Sequence, residues 1–206
     1  MKVDVLPIGQ FQENIYVLHD HGHVLIFDPG RYAKKVAETI GKDETVAGII
    51  LTHGHSDHTG AADDLNDMYH CGIYMNKKDY ILVDPSYAGK HGFDSPVYSE
   101  VQDLSETMKI GIFDLKVHFT PGHTAGSVCV QYRNLLFAGD TLFAGSIGRT
   151  DLYSGNDQEM TQSLAYIKTL PHDLKVLPGH GPATTIGREL KTNPFLCYTE
   201  ERWRLI

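Results

Sequence analysis

The apolar run 46–51 passes without a break into Thr52, His53, Gly54, His55, Ser56, Asp57 and His58, and this junction constrains the chain more than any other segment. Three imidazoles and one carboxylate fall within six residues there, a density that few structural roles require. Residues leaving a strand alternate sides, so His53 and His55 project the same way, and Gly54 between them allows close backbone approach. The pattern predicts a strand, a loop and then a helix over about 57–69, whose first residues, Asp57 and His58, project toward a neighbouring position. Two side chains thus serve one metal ion and two more serve a second.

Further ligands must come from elsewhere, because catalytic zinc takes about three protein ligands plus water. Three other apolar runs exit in a similar manner: 115–119 leads to Pro121, Gly122 and His123, 175–177 leads to Pro178, Gly179 and His180, and 135–137 leads to Gly139 and Asp140. A carboxylate has two oxygens with which to bridge cations, whereas a neutral imidazole offers one free nitrogen, so Asp140 is the natural bridge. The expected arrangement places His53, His55 and His123 on one ion, Asp57, His58 and His180 on the other, and Asp140 between them. The remaining histidines contrast with these. His19, His21 and His23 surround Asp20 and Gly22 in what reads as a solvated hairpin turn. His70, His91, His118 and His172 lack convergent partners, although His91 sits in a long loop, 85–96, that could lie over a site.

Around these exits the chain alternates strand and helix signals. Strand runs at 3–8, 15–18, 24–27, 46–51 and 73–75 accompany helical spacing over 32–40 and 57–69. Runs at 109–113, 115–119, 128–132, 135–137 and 175–177 follow, with helices over 160–170, 185–191 and 195–204. Two blocks, each opening with strands and closing with helices, predict a single α/β domain built as a four-layer αββα sandwich, since every amphipathic element must cover a core face. Periodicity alone also accommodates one mixed sheet.

Composition narrows the function. The formal charge is −8 over 206 residues, with no Lys/Arg-rich stretch, which argues against a nucleic-acid partner. No apolar run reaches the roughly 18 residues of a membrane span, and the N-terminus lacks the features of a signal peptide. Cys71, Cys129 and Cys197 form no C-x-x-C pair, which fits a reducing cytoplasm, and Cys129, alternating with apolar neighbours, reads as a structural thiol rather than a nucleophile.

The His53 to His58 string followed by His123, Asp140 and His180 resembles the metallo-β-lactamase superfamily. More narrowly, Gly139 to Phe143 and the Pro178, Gly179, His180 triplet resemble the glyoxalase II (hydroxyacylglutathione hydrolase) branch, in its single-domain bacterial form without the C-terminal helical glutathione-binding domain. The resemblance implies an αββα fold with the metal site at one edge of the two sheets. It also implies two divalent ions, zinc first and iron or manganese as alternatives, and hydrolysis of a small-molecule thioester such as S-lactoylglutathione by a metal-bridging hydroxide, with Asp57 and Asp140 in the catalytic centre. Arg149, Arg188 and Lys191 are the candidates to hold a substrate carboxylate. The rival readings are a mononuclear-iron persulfide dioxygenase, to which Gly148, Arg149, Thr150 and Asp151 are also similar, a lactonase, and a non-enzymatic metal-binding protein.

Overall fold

Period-two alternation along the strands buries both of their faces. In the strand Glu13–Asp20, Ile15 and Val17 enter one apolar cluster while Tyr16 and Leu18 enter another. In Leu135–Gly139, Leu135 and Phe137 face that second cluster while Leu136 and Ala138 face a third. A strand buried on both sides needs a layer on each, so two sheets stack face to face with helices outside. The computed structural model describes residues 1–9, 12–90, 92 and 95–197.

The first sheet holds β1 (Lys2–Ile8), β2 (Glu13–Asp20), β3 (His23–Phe27), β4 (Thr45–Ile50), β5 (Ile73–Met75) and β6 (Val101–Asp103), adjacent in chain order. From β3 onward its pairs are parallel, with α1 (Ala33–Ala37), α2 (Ser56–Thr59), α3 (Ala62–Tyr69) and α4 (Tyr80–Val83) in the connections. The second sheet holds β7 (Thr107–Ile110), β8 (Phe113–Phe119), β9 (Val128–Tyr132), β10 (Leu135–Gly139), β11 (Lys175–Pro178) and β12 (Thr184–Thr185). Its one parallel pair, β10 with β11, is joined through α5 (Asp157–Ile167), and α6 (Ile186–Thr192) and α7 (Pro194–Cys197) follow. Between the sheets Phe27 stacks on Phe137 with ring centroids 3.7 Å apart. The four-layer αββα sandwich expected from the sequence is the observed fold, with two sheets rather than one.

Local differences have physical causes. The helix expected over 57–69 is broken at Ala61, whose N–H donates to the Pro29 carbonyl at the end of β3. The helix expected over 32–40 ends at Ala37, after which Thr39 and Ile40 bond three residues back, the tighter 3₁₀ pattern. Strands β6 and β12 span three and two residues, too short to show alternation. The β2–β3 turn carries His21 and Gly22, both at positive φ, as tight hairpins require. His19 is not solvated as expected: it is buried, with Nδ1 2.9 Å from Glu44 Oε1 and Nε2 3.3 Å from Asp4 Oδ2.

In the expected loop 85–96 His91 lies outside the described residues, as does the expected helix beyond Cys197. The end of that connection packs on α3, where Tyr98 and Ser99 donate backbone N–H groups to Asp63. Burial pushes the Cys71 and Cys129 thiols up to about 11, which makes them poor nucleophiles, while Cys197 is exposed. No described helix is long and apolar enough to cross a membrane.

Candidate metal centre

Four strand exits meet at one edge of the two sheets. β4 delivers His53 and His55 and then α2 with Asp57 and His58; β8 delivers His123, β10 Asp140 and β11 His180. The meeting is held by bonds between sheets. Asn14 in β2 donates its amide to the Pro178 and Gly181 carbonyls, Tyr16 donates its hydroxyl to Pro178, and Val128 N–H donates to the Thr52 carbonyl. Gly139 takes a positive φ of 47° as β10 turns into Asp140, a conformation glycine adopts without strain. At Gly179 a side chain would run into Asp140 and the His58 ring, so only glycine lets β11 pass so near both.

All seven expected ligands come together. Their donor atoms form the groups His53, His55, His123 and Asp57, His58, His180, with a further grouping of His53, His58 and Asp140. Asp140 stands between the first two: Oδ1 lies 3.5 Å from His58 Nε2, and Oδ2 lies 3.4 Å from His123 Nε2 and 3.5 Å from His180 Nε2. Outer contacts orient the rings. His123 Nδ1 donates to the Arg149 carbonyl at 2.7 Å, which leaves Nε2 as a lone pair toward Asp140. His58 Nδ1 faces Asp28 Oδ2 at 3.1 Å and so turns Nε2 inward. Asp28 is itself held by the Thr52 backbone N–H and hydroxyl, both at 2.7 Å.

The donor set fits cations. His55 Nδ1 and His123 Nε2 are 2.9 Å apart, and the latter is a lone pair once Nδ1 has donated to Arg149. His53 Nε2 and Asp140 Oδ1 are buried without a hydrogen-bond partner among the described residues. Buried polar atoms are normally satisfied, so inward-facing acceptors left over at one point are suited to a bound ion. Charge follows the same geometry. Burial, then the neighbouring imidazoles, hold His53 well below the usual range and bring His55 down to about 4. At His58 burial opposes the charge but Asp140 and Asp28 outweigh it, so its pKa rises. At Asp57 burial is outweighed by His180 and His58, and its pKa falls. Burial pushes Glu13 up to about 9, leaving a neutral acid beside the second group.

A cavity of about 410 Å³ opens on the centre. It is lined by the ligand candidates His55, Asp57, His123, Asp140 and His180 together with Phe143, Ile147, Gly148, Arg149 and Leu152. Arg149 is thus brought to the cavity, where its guanidinium pairs with Asp151 at 2.7 and 2.8 Å. Arg188 and Lys191 are exposed on α6 and are not among the lining residues. Three features escaped sequence reasoning. Asp28 reads as part of an Asp-Pro-Gly turn, Asp79 as one more acid beside Lys77 and Lys78, and the apolar wall has no periodic signature because it is loop.

The model of the metallo-β-lactamase superfamily matches residues 8–180, which contain every ligand candidate. The chain belongs to that superfamily. Two relatives in it are similar over nearly their whole length. YqgX of Bacillus subtilis (strain 168), described as a probable metallo-hydrolase, is 39% identical over 95% of this chain and 98% of its own. The hydroxyacylglutathione hydrolase GloC of Haemophilus influenzae (strain ATCC 51907 / DSM 11121 / KW20 / Rd) is 33% identical over the same shares. The crystal structure of TTHA1623 in a di-iron-bound form superposes with a TM-score of 0.82 at 33% identity, covering 94% of this chain and 100% of that one. Fold, family and donor set together mark a metal-dependent hydrolase that takes divalent ions.

Proposed function

We propose that this protein hydrolyses thioesters with two divalent ions, hydroxyacylglutathiones such as S-lactoylglutathione being the substrate class. The observation that carries the reading is Asp140, whose carboxylate lies within 3.5 Å of His123 from one group and of His58 and His180 from the other. His53, His55 and His123 would hold one ion, Asp57, His58 and His180 the other, with Asp140 shared. Bound ions polarise a carbonyl and bring the pKa of water to about 7. Imidazole and carboxylate ligands without thiolate suit zinc, iron or manganese, and zinc is the first choice.

The chain's own residues do the rest. Asp140 and Asp57 supply negative charge that balances the cations, while Asp28 and the Arg149 carbonyl fix the rings. Phe143, Ile147 and Leu152 give the cavity an apolar part to its lining. A thiol leaves with a reference pKa of about 8.5, so no strong proton donor is required. Arg149, which lines the cavity, would pair with a substrate carboxylate in competition with Asp151. GloC, named for this activity, supports the substrate class.

Purified protein given S-lactoylglutathione should release free thiol. Asp140→Asn should lower that rate by about 10²-fold or more, because one shared ligand serves both ions. A second reading, the one-iron persulfide dioxygenase, is favoured by Gly148 and Arg149 lining the cavity. Oxygen uptake with glutathione persulfide at one iron per chain, without thiol release from the thioester, would replace the hydrolase reading.

A further inference from the structure

Asp79 is fully buried in the turn between β5 and α4, and no ligand role explains it. Its carboxylate accepts three hydrogen bonds from two distant segments. Oδ2 takes the Gly54 N–H at 2.9 Å and the Thr124 hydroxyl at 2.7 Å, and Oδ1 takes the Gly126 N–H at 2.6 Å. Gly54 lies between His53 and His55, on the exit of the first sheet. Thr124 and Gly126 belong to the turn that begins at His123, on the exit of the second. A side chain at Gly126 would run into the Asp79 carboxylate, so that turn is shaped to admit it. Thr124 is held a second time, its N–H donating to Ser127 Oγ at 3.0 Å.

We propose that Asp79 is a positioning residue that clamps the His53–His55 exit to the His123 turn, and thereby sets the metal affinity of that three-histidine group alone. A carboxylate suits this position because all three of its partners are donors, and charge-assisted bonds are about twice as strong as neutral ones. Asparagine keeps the shape but turns an NH₂ toward donors and breaks at least one bond. Asp79 accepts from two backbone N–H groups and one hydroxyl in the segments that carry His53, His55 and His123, and among the described residues none of its side-chain hydrogen bonds goes to the Asp57–His58–His180 group.

The inference rests on the two-ion reading above, and one experiment separates the two. Wild type, Asp79→Asn and the milder Thr124→Val are loaded with zinc and dialysed against graded chelator, and zinc per chain is measured alongside the melting temperature of each metal-free protein. Wild type should hold two ions. Asp79→Asn should release one ion at a chelator concentration at least tenfold lower and keep the other at wild-type affinity, with Thr124→Val giving a smaller shift in the same direction. Added to His55→Ala, which removes a ligand of the same ion, Asp79→Asn should leave the affinity of the remaining ion unchanged. Unaltered release of both ions, or equal weakening of both with a lowered metal-free melting temperature, would reduce Asp79 to a general structural residue. A wild type that holds a single ion would sink the two-ion reading, and the clamp would then stand or fall on whether Asp79→Asn weakens that ion. Should Asp79→Asn fail to fold, Thr124→Val decides, because it keeps the carboxylate and removes only the hydroxyl shared between Asp79 and Ser127.

Discussion

At the scale of single residues, the centre depends on which nitrogen of each imidazole carries its proton, and that is set by the outer partner. His58 shows it most clearly. With Asp28 at 3.1 Å from Nδ1, a neutral His58 keeps its proton on that nitrogen and presents Nε2 inward, where a cation would take the place of the second proton. In Asp28→Asn, with the amide oxygen kept on the Thr52 N–H, the NH₂ faces the Thr52 hydroxyl and His58 Nδ1. The ring would then favour the opposite tautomer and lose its inward lone pair. The expected outcome is a loss of about 10–100-fold in zinc affinity, the usual effect of removing such a partner. Chelator competition on the purified variant measures it, and an unchanged affinity would show that the tautomer is set elsewhere.

Among secondary elements, the outer face of the second sheet carries its own polar contact under α5. His118 on β8 is buried, with Nδ1 2.7 Å from the Tyr166 hydroxyl of α5 and Nε2 3.1 Å from Gln131 Oε1 on β9. A neutral ring that accepts from tyrosine and donates to glutamine satisfies both contacts; a protonated ring could only donate. Burial lowers its pKa from the ordinary 6.5, Gln131 opposing and Lys116 reinforcing the shift. An imidazole kept neutral contributes stability that is fully present above the unfolded value of about 6.5 and is lost as pH falls through the folded one. The stability advantage of wild type over His118→Gln should therefore shrink on acidification from pH 7.5 to 5, read from urea midpoints. A constant difference would mean that the ring does not titrate with unfolding.

Across the whole molecule, the centre lies where two sheets meet, so its ligands are only as well placed as the sheets are packed. Phe27 and Phe137 stack at that interface, and Phe137 lies on β10 just before Gly139 and Asp140. Removing a buried phenyl ring costs about 3–5 kcal/mol through lost burial and the cavity left behind. Phe137→Ala should lower the unfolding free energy by that amount in a urea titration. A loss below about 1 kcal/mol would indicate that neighbouring side chains fill the space.

Much of this was written locally. Alternation marks strands, and Gly or Pro-Gly before a histidine or aspartate marks where they exit, because both are properties of neighbouring residues. That was enough to name the seven residues that the fold brings near one another. The tertiary structure alone decided the rest. Asp28 meets Thr52 from 24 positions away, Asp79 meets Gly126 from 47 and Asn14 meets Pro178 from 164. The same geometry draws Arg149 to the cavity and leaves Arg188 and Lys191 outside its lining. Hydrogen bonds between segments so far apart leave no periodic trace in either one, since each partner is an ordinary turn or surface residue until the sheets close upon each other.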